Sequence, residues 1–236
     1  MAARTLKLIA VAFIAACVLK SPAFAQAQEP ERQLVRPVSS TPTAVIVIHG
    51  GGWWSCNPSQ VRPVCDVLRP YVDTYAPEYT LSMVSPFPQA NRDLKAYVEN
   101  MRSIGYERIL AVGVSAGGNL AAFLAQHDLV DGFVSWSAPT DLRRFDWYRR
   151  TPGWVVERFA PTRRKKIHAS PALHSITAPG LIIHSEAEWM PLFMARRLHA
   201  AASASDLVVL PGTAHGMVYF DLAMPITLQW ILNDLS

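Results

Sequence analysis

A serine flanked two places away on either side by glycine, Gly113-Val114-Ser115-Ala116-Gly117, is the part of this 236-residue chain best suited to covalent chemistry. The pattern alone is short enough to arise by chance in Gly- and Ala-rich sequence, so its surroundings decide. An apolar run, Arg108 to Val112, reads as a buried strand before it, and Asn119 to His127 reads as a helix after it. Strand, sharp turn and helix would expose the serine hydroxyl and set it at a helix N-terminus, where free N–H groups favour negative charge. Glycine suits both flanking positions because a side chain there would collide across such a turn. The chemistry implied is nucleophilic attack on a carbonyl. It needs a base for the hydroxyl and donors for the developing oxyanion.

Residues for both needs lie on other strand–loop junctions. Ala44 to Ile48 reads as a central strand and runs into His49-Gly50-Gly51-Gly52-Trp53, a turn whose backbone N–H groups no side chain screens. Downstream, Leu207 to Leu210 is followed by Pro211-Gly212-Thr213-Ala214-His215-Gly216, and a histidine in such a loop can reach a serine as general base. Between them, Leu181 to His184 is a further strand, followed by Glu186 and Glu188. A carboxylate at either place could orient the histidine. His49 is expected to lock the glycine turn by hydrogen bonds, and His184 to be a structural residue at a strand end.

Taken together, His49 to Trp53, Gly113 to Ala122, Glu78-Tyr79 with Ser85 to Pro88, Ala169-Ser170-Pro171 and Pro211 to Gly216 resemble the hormone-sensitive-lipase-like esterases of the α/β-hydrolase superfamily. The resemblance runs from about Pro42 to the C-terminus. It implies Ser115 as nucleophile and His215 as base, with the N–H groups of Gly51, Gly52 and Ala116 as oxyanion hole. It also puts Glu188 in the role of triad acid, where the family more often carries Asp, with Glu186 the alternative and Asp141 a third choice. The order nucleophile, acid, histidine is that of α/β-hydrolases. The implied activity is that of a serine carboxylesterase needing no cofactor, and a short lid over a small open site would suit short-acyl esters.

The elements that must hold these residues alternate along the chain. Strands are predicted at 44–48, about 72–76, 108–112, 132–136, 180–183 and 206–210. Helical spacing joins Leu94, Val98, Met101 and Ile104 up to Gly105, then Leu120, Phe123 and Leu124, then Phe193, Leu198 and Ala201. A last helix is predicted to start at Pro225. Such alternation means a mostly parallel sheet of about six strands covered on both faces. The N-terminal hairpin of the full fold is expected to be reduced or absent. The domain is expected to span 44–236, with a short lid in the excursion 137–179 after the fourth of these strands, strand six of the full fold.

Residues 1–25 read as an export signal: a basic start, an apolar run from Leu8 to Leu19, and Ala23-Phe24-Ala25 as cleavage site. A rival reading takes Ile14-Ala15-Ala16-Cys17 as a lipoprotein box, which would anchor the protein to a membrane through Cys17. Residues 26–43 form a polar tail. Removing the signal's Arg4, Lys7 and Lys20 lowers the formal net charge from +4 to +1, so the basic balance does not point to nucleic acid. Two cysteines then remain, Cys56 and Cys65, and an exported pair is expected to form a disulfide, with two buried thiols as the alternative. No metal pattern stands out among the seven histidines, and no phosphate-loop or dinucleotide fingerprint is present.

Trp53, Trp54 and Trp189 flank the expected site and could stack on a sugar or aromatic acyl group, or simply pack. Between Asp141 and Lys166 stand nine basic residues against three acidic, either a solvated face or a landing strip for an anionic polymer or membrane surface. The rival functions left open are a carbohydrate acetyl or feruloyl esterase, an aryl formamidase or amidase, and a non-catalytic binding protein on the same fold. The substrate and the oligomeric state are not legible.

Overall fold

An apolar run such as Ala44–Ile48 has no polar face, so as a strand it must be covered on both sides. That is its place in the computed structural model, which describes residues 42–147 and 153–235. Six strands form one sheet: β1 (Thr43–Ile48), β2 (Asp73–Tyr75), β3 (Arg108–Val114), β4 (Gly132–Trp136), β5 (Gly180–Ser185) and β6 (Ser205–Leu210). Their order is β2-β1-β3-β4-β5-β6 and every neighbouring pair is parallel. The helices are α1 (Arg62–Leu68), α2 (Gln89–Ser103), α3 (Ala116–Gln126), α4 (Gly153–Phe159), α5 (Arg163–His168), α6 (Phe193–Ala201) and α7 (Phe220–Leu235).

Strand alternation divides the core in two. Ala44, Ile46 and Ile48 face one side with Leu94, Val98 and Met101 of α2, Leu120 and Leu124 of α3, and Met194 and Leu198 of α6. Val45 and Val47 face the other with Val64 and Leu68 of α1 and Ala223, Met224 and Ile231 of α7. The sheet is thus the middle layer of three. Register pairs Ile48 with Gly113, Val114 with Trp136, and Ser185 with Leu210. The loops leaving β1, β3, β4, β5 and β6 therefore emerge along one edge, the carboxyl ends of the strands, where parallel sheets place their sites.

Three expectations are corrected. The last helix starts at Phe220, not Pro225, because the chain after His215 winds through a 3-10 turn, Gly216–Tyr219, straight into α7. Pro225 lies inside that helix on its exposed side. There the carbonyl of Asp221, which loses its usual donor to the proline, can turn to water. The buried face of α6 is Met194, Ala195 and Leu198, with Phe193 and Ala201 only partly covered. The expected Cys56–Cys65 bridge is not formed, since Cys65 is a free, buried thiol. It lies on the sheet-facing side of α1 with Val64 and Leu68, a helical spacing that points it into the core. Burial pushes its thiol pKa up to about 11.

The predicted export signal, the lipoprotein alternative at Cys17 and nearly all of the 26–43 tail lie outside the described residues. The excursion after β4 holds a 3-10 segment (Leu142–Trp147), α4, α5 and a second 3-10 turn (Pro171–Leu173).

Candidate active site

Ser115 sits between β3 and α3 with φ 54° and ψ −116°, a conformation that only a tightly held turn imposes on a residue with a side chain. Its N–H donates to Trp136 O at 2.7 Å and its carbonyl accepts from Asn119 N–H at 3.2 Å. The two glycines permit this. A Cβ on Gly113 would collide with the Gly117 carbonyl, and one on Gly117 with the Ile48 carbonyl of the neighbouring strand.

His215, in the loop after β6, places Nε2 3.0 Å from Ser115 Oγ. Its Nδ1 lies in close contact with Glu188 Oε2. A carboxylate only accepts, so Nδ1 carries the proton and Nε2 is left free to accept from the serine hydroxyl. Trp189, next in chain to Glu188, lies against the His215 ring at 4.4 Å between centroids.

Glu188 is buried, and its other oxygen is fully engaged. Oε1 accepts from Ser137 Oγ at 2.8 Å and from Ser185 N–H at 3.3 Å, and lies 3.1 Å from His184 Nε2. That same nitrogen is 2.9 Å from Met190 O, so it is a donor shared by two acceptors. Burial lowers the His184 pKa and favours the neutral ring. Ser137 directly follows β4, at φ 52°. Since its hydroxyl hydrogen goes to Glu188, its oxygen accepts from Gly216 N–H at 3.1 Å and from Tyr219 OH at 2.7 Å. The Tyr219 hydroxyl also lies 3.2 Å from Ile183 O, and burial raises its pKa well above the ordinary value, which keeps it a neutral donor. Ser137 and Tyr219 were not foreseen. Neither belongs to a motif, and only their positions beside a strand end and four residues past His215 hinted at them.

The other two carboxylates are occupied elsewhere. Glu186 Oε1 accepts from Gly212 N–H at 3.1 Å and fastens the loop after β6. Asp141 is held by Arg143 and Arg197.

On the opposite flank, the turn after β1 is held by its carbonyls. Gly51 O accepts from Trp54 N–H and Ser55 N–H, both at 3.2 Å, and from Ser55 Oγ at 3.0 Å. Tyr79 OH reaches the carbonyls of His49 and Gly50, both at 3.1 Å, and its ring stacks on His49 at 4.2 Å. His49 Nδ1 is 3.0 Å from Gly50 O, and burial lowers its pKa to about 4, so it is a neutral donor. Gly50 N–H is taken by Gln60 Oε1 at 2.6 Å. Among the described residues, no acceptor takes the N–H groups of Gly51, Gly52 or Ala116. Gly51 has φ +88°, and a Cβ there would collide with Ser55 O.

The tryptophans part company. Trp53 is buried and stacks on Phe159 at 4.2 Å, so it packs the core. Trp54 meets the exposed Trp154 edge-on at 5.0 Å, and only Trp189 lies against His215. Among the described residues, no cluster of His, Cys, Asp or Glu could hold a metal ion.

Fold and site define a class, the serine hydrolases of ester bonds. The chain belongs to the α/β-hydrolase fold family, in its hormone-sensitive-lipase-like branch, whose family model matches residues 45–219. Among solved structures, a hyperthermophilic esterase from the archaeon Pyrobaculum calidifontis is 22% identical, with a TM-score of 0.69 over 85% of this chain and 78% of that one. A thermophilic esterase from the planctomycete Thermogutta terrifontis is 23% identical, with a TM-score of 0.67 over 85% and 86%. An acetyl ester-xyloside bifunctional hydrolase from Caldicellulosiruptor lactoaceticus is 18% identical, with a TM-score of 0.73 over 85% and 86%. At these identities the likeness is one of fold. No curated protein sequence matches the chain.

Proposed function

We propose that this protein is an exported carboxylesterase acting on short-acyl esters, with Ser115 as nucleophile, His215 as general base and Glu188 as the acid that orients it. The observation that carries the reading is the line from Ser115 Oγ through both nitrogens of His215 to a buried, fully hydrogen-bonded Glu188. His215 Nε2 takes the serine proton as Oγ attacks the ester carbonyl. The carbonyl oxygen becomes an oxyanion facing the N–H groups of Gly51, Gly52 and Ala116. Collapse breaks the bond to the alkoxy oxygen, which leaves as the alcohol with the proton from His215. Water, deprotonated by His215, then attacks the acyl-serine. The acid is released, and the proton returns from His215 to Ser115.

Short acyl groups are favoured because Val155 crowds the glycine turn, its Cγ1 standing where a side chain on Gly52 would be. Export is supported by the basic, apolar and Ala-x-Ala succession of residues 1–25.

The test is labelling by a fluorophosphonate read by intact mass, alongside hydrolysis of p-nitrophenyl esters of increasing acyl length and of a matched anilide. One adduct, absent in Ser115→Ala, with rates highest on short esters, is expected. Absence of any adduct on folded protein overturns the reading, and an anilide rate matching the ester turns it toward amide hydrolysis.

A further inference from the structure

Outside the site, the oddest surface belongs to two segments that pack on the glycine turn. The loop 81–85 turns on hydrogen bonds from Val84 and Ser85 N–H to Leu81 O, and it leaves Val84 82% and Met83 50% exposed at its tip. Helix α4 lies beside it: Phe87 N–H donates to Phe159 O at 2.8 Å, and Arg158 Nη2 to Met83 O at 3.3 Å. On α4, Trp154 and Arg158 are four residues apart and so share a face, and Trp154 is 50% exposed. The next helix, α5, is tied to α4 by the Lys166–Glu157 ion pair and exposes Arg163 and Arg164.

The patch connects directly to the site. Ser82 N–H donates to Trp53 O at 2.6 Å, Trp154 meets Trp54 edge-on, and Val155 lies where a side chain on Gly52 would be.

We propose that Met83, Val84 and Trp154, with Arg158 beside them and Arg163 and Arg164 on the following helix, form a docking surface for an anionic lipid bilayer, which sets the mouth of the site against the membrane. The tip carries bare aliphatic groups, which gain by leaving water and offer nothing to a sugar or a soluble polyanion. Tryptophan partitions to the headgroup level, and arginine pairs with phosphate. Apolar side chains rimmed by cations are the composition of a peripheral membrane surface. No helix among the described residues is long and apolar enough to cross a membrane. That docking brings lipid-borne esters to Ser115 rests on the function proposed above.

The experiment is flotation of the purified protein with vesicles of phosphatidylcholine mixed with phosphatidylglycerol, and with phosphatidylcholine alone. Binding to the mixed vesicles only, weakened by added salt, is expected. Val84→Asp should lower partitioning by about tenfold through loss of apolar burial, and Arg158→Gln by about fivefold. Both variants should hydrolyse a dissolved short ester as the wild type does, which shows that they are folded. Equal binding to neutral vesicles, or unchanged binding by Val84→Asp, overturns the proposal. So does retention on immobilised dextran sulfate that ignores Val84→Asp, since it makes the surface a polyanion site. Ser115→Ala should bind vesicles like the wild type, so failure of the esterase reading and failure of this one are seen separately.

Discussion

The glycine turn after β1 and the side-chain cluster after β4, β5 and β6 face each other across Ser115, and they are held by opposite means. The turn is a backbone object. Its conformation rests on residues without Cβ atoms and on carbonyls pinned by Tyr79 and Ser55. The cluster is a side-chain object in which Tyr219 holds Ser137, Ser137 holds Glu188, and Glu188 holds His215. The turn presents donors at fixed places and should fail all at once. The cluster tunes one proton and should fail by degrees.

Four experiments break or sharpen that contrast. The largest effect is expected from Glu188→Gln, which loses the charge and permits the wrong histidine tautomer. It should lower kcat by about 10⁴-fold, while Glu186→Gln leaves kcat within about twofold because its carboxylate only fastens the Gly212 loop. A reversed result would move the acid to Glu186.

Next comes Gly51→Ala, which must clear the Ser55 carbonyl from a φ of +88°. Displacing the turn should lower kcat by at least about 10²–10³-fold, since that is the loss typical of one oxyanion donor and the turn carries more than one. Fluorophosphonate labelling shows whether the serine is still activated.

Smaller still is Ser137→Ala, which removes one of the donors to Glu188. We expect kcat down by about 30-fold with KM unchanged, and Tyr219→Phe, one step further out, milder than that. Equal losses from both would mean that Tyr219 reaches Glu188 through more than Ser137.

The smallest is a pH effect on the turn side. The folded pKa of His49 is lowered to about 4, below the unfolded value of 6.5, so the unfolded chain binds more protons between those values. Stability is therefore full above pH 6.5 and is lost as pH falls toward 4. Between pH 7.5 and 5 this group alone should remove about 2 kcal/mol. Urea unfolding at the two values measures it, and His49→Asn should flatten the slope. The buried His184 acts in the same direction.

The same contrast explains what could be read ahead of the structure. Gly51, Gly113 and Gly117 were legible because backbone collisions restrict residue type directly, and β1, β3, β4 and β5 because their short apolar runs suit strands covered on both faces. His215 was legible by its place after the last strand, and Glu188 was singled out from Glu186 only by the register of the family the chain resembles. Ser137 and Tyr219 were not. A serine and a tyrosine have many uses, and only the meeting of three loops in space selects this one. Cys65 misled because pairing was inferred from cysteine number, whereas the helical phase of α1 decides where that side chain points. Pro225 misled because proline is a good first residue of a helix and is tolerated on an exposed side further in.

Asn119, one turn into the helix behind the nucleophile, donates through Nδ2 to Pro139 O at 2.8 Å and to Ala169 O at 3.0 Å. These carbonyls flank the stretch that carries α4 and α5, so one buried amide draws its two ends together. What lies between the clasped ends is fastened a second time, by Val156 and Phe159 in the core, so the clasp and the core together hold the outer faces of α4 and α5 at a set height above the strand ends.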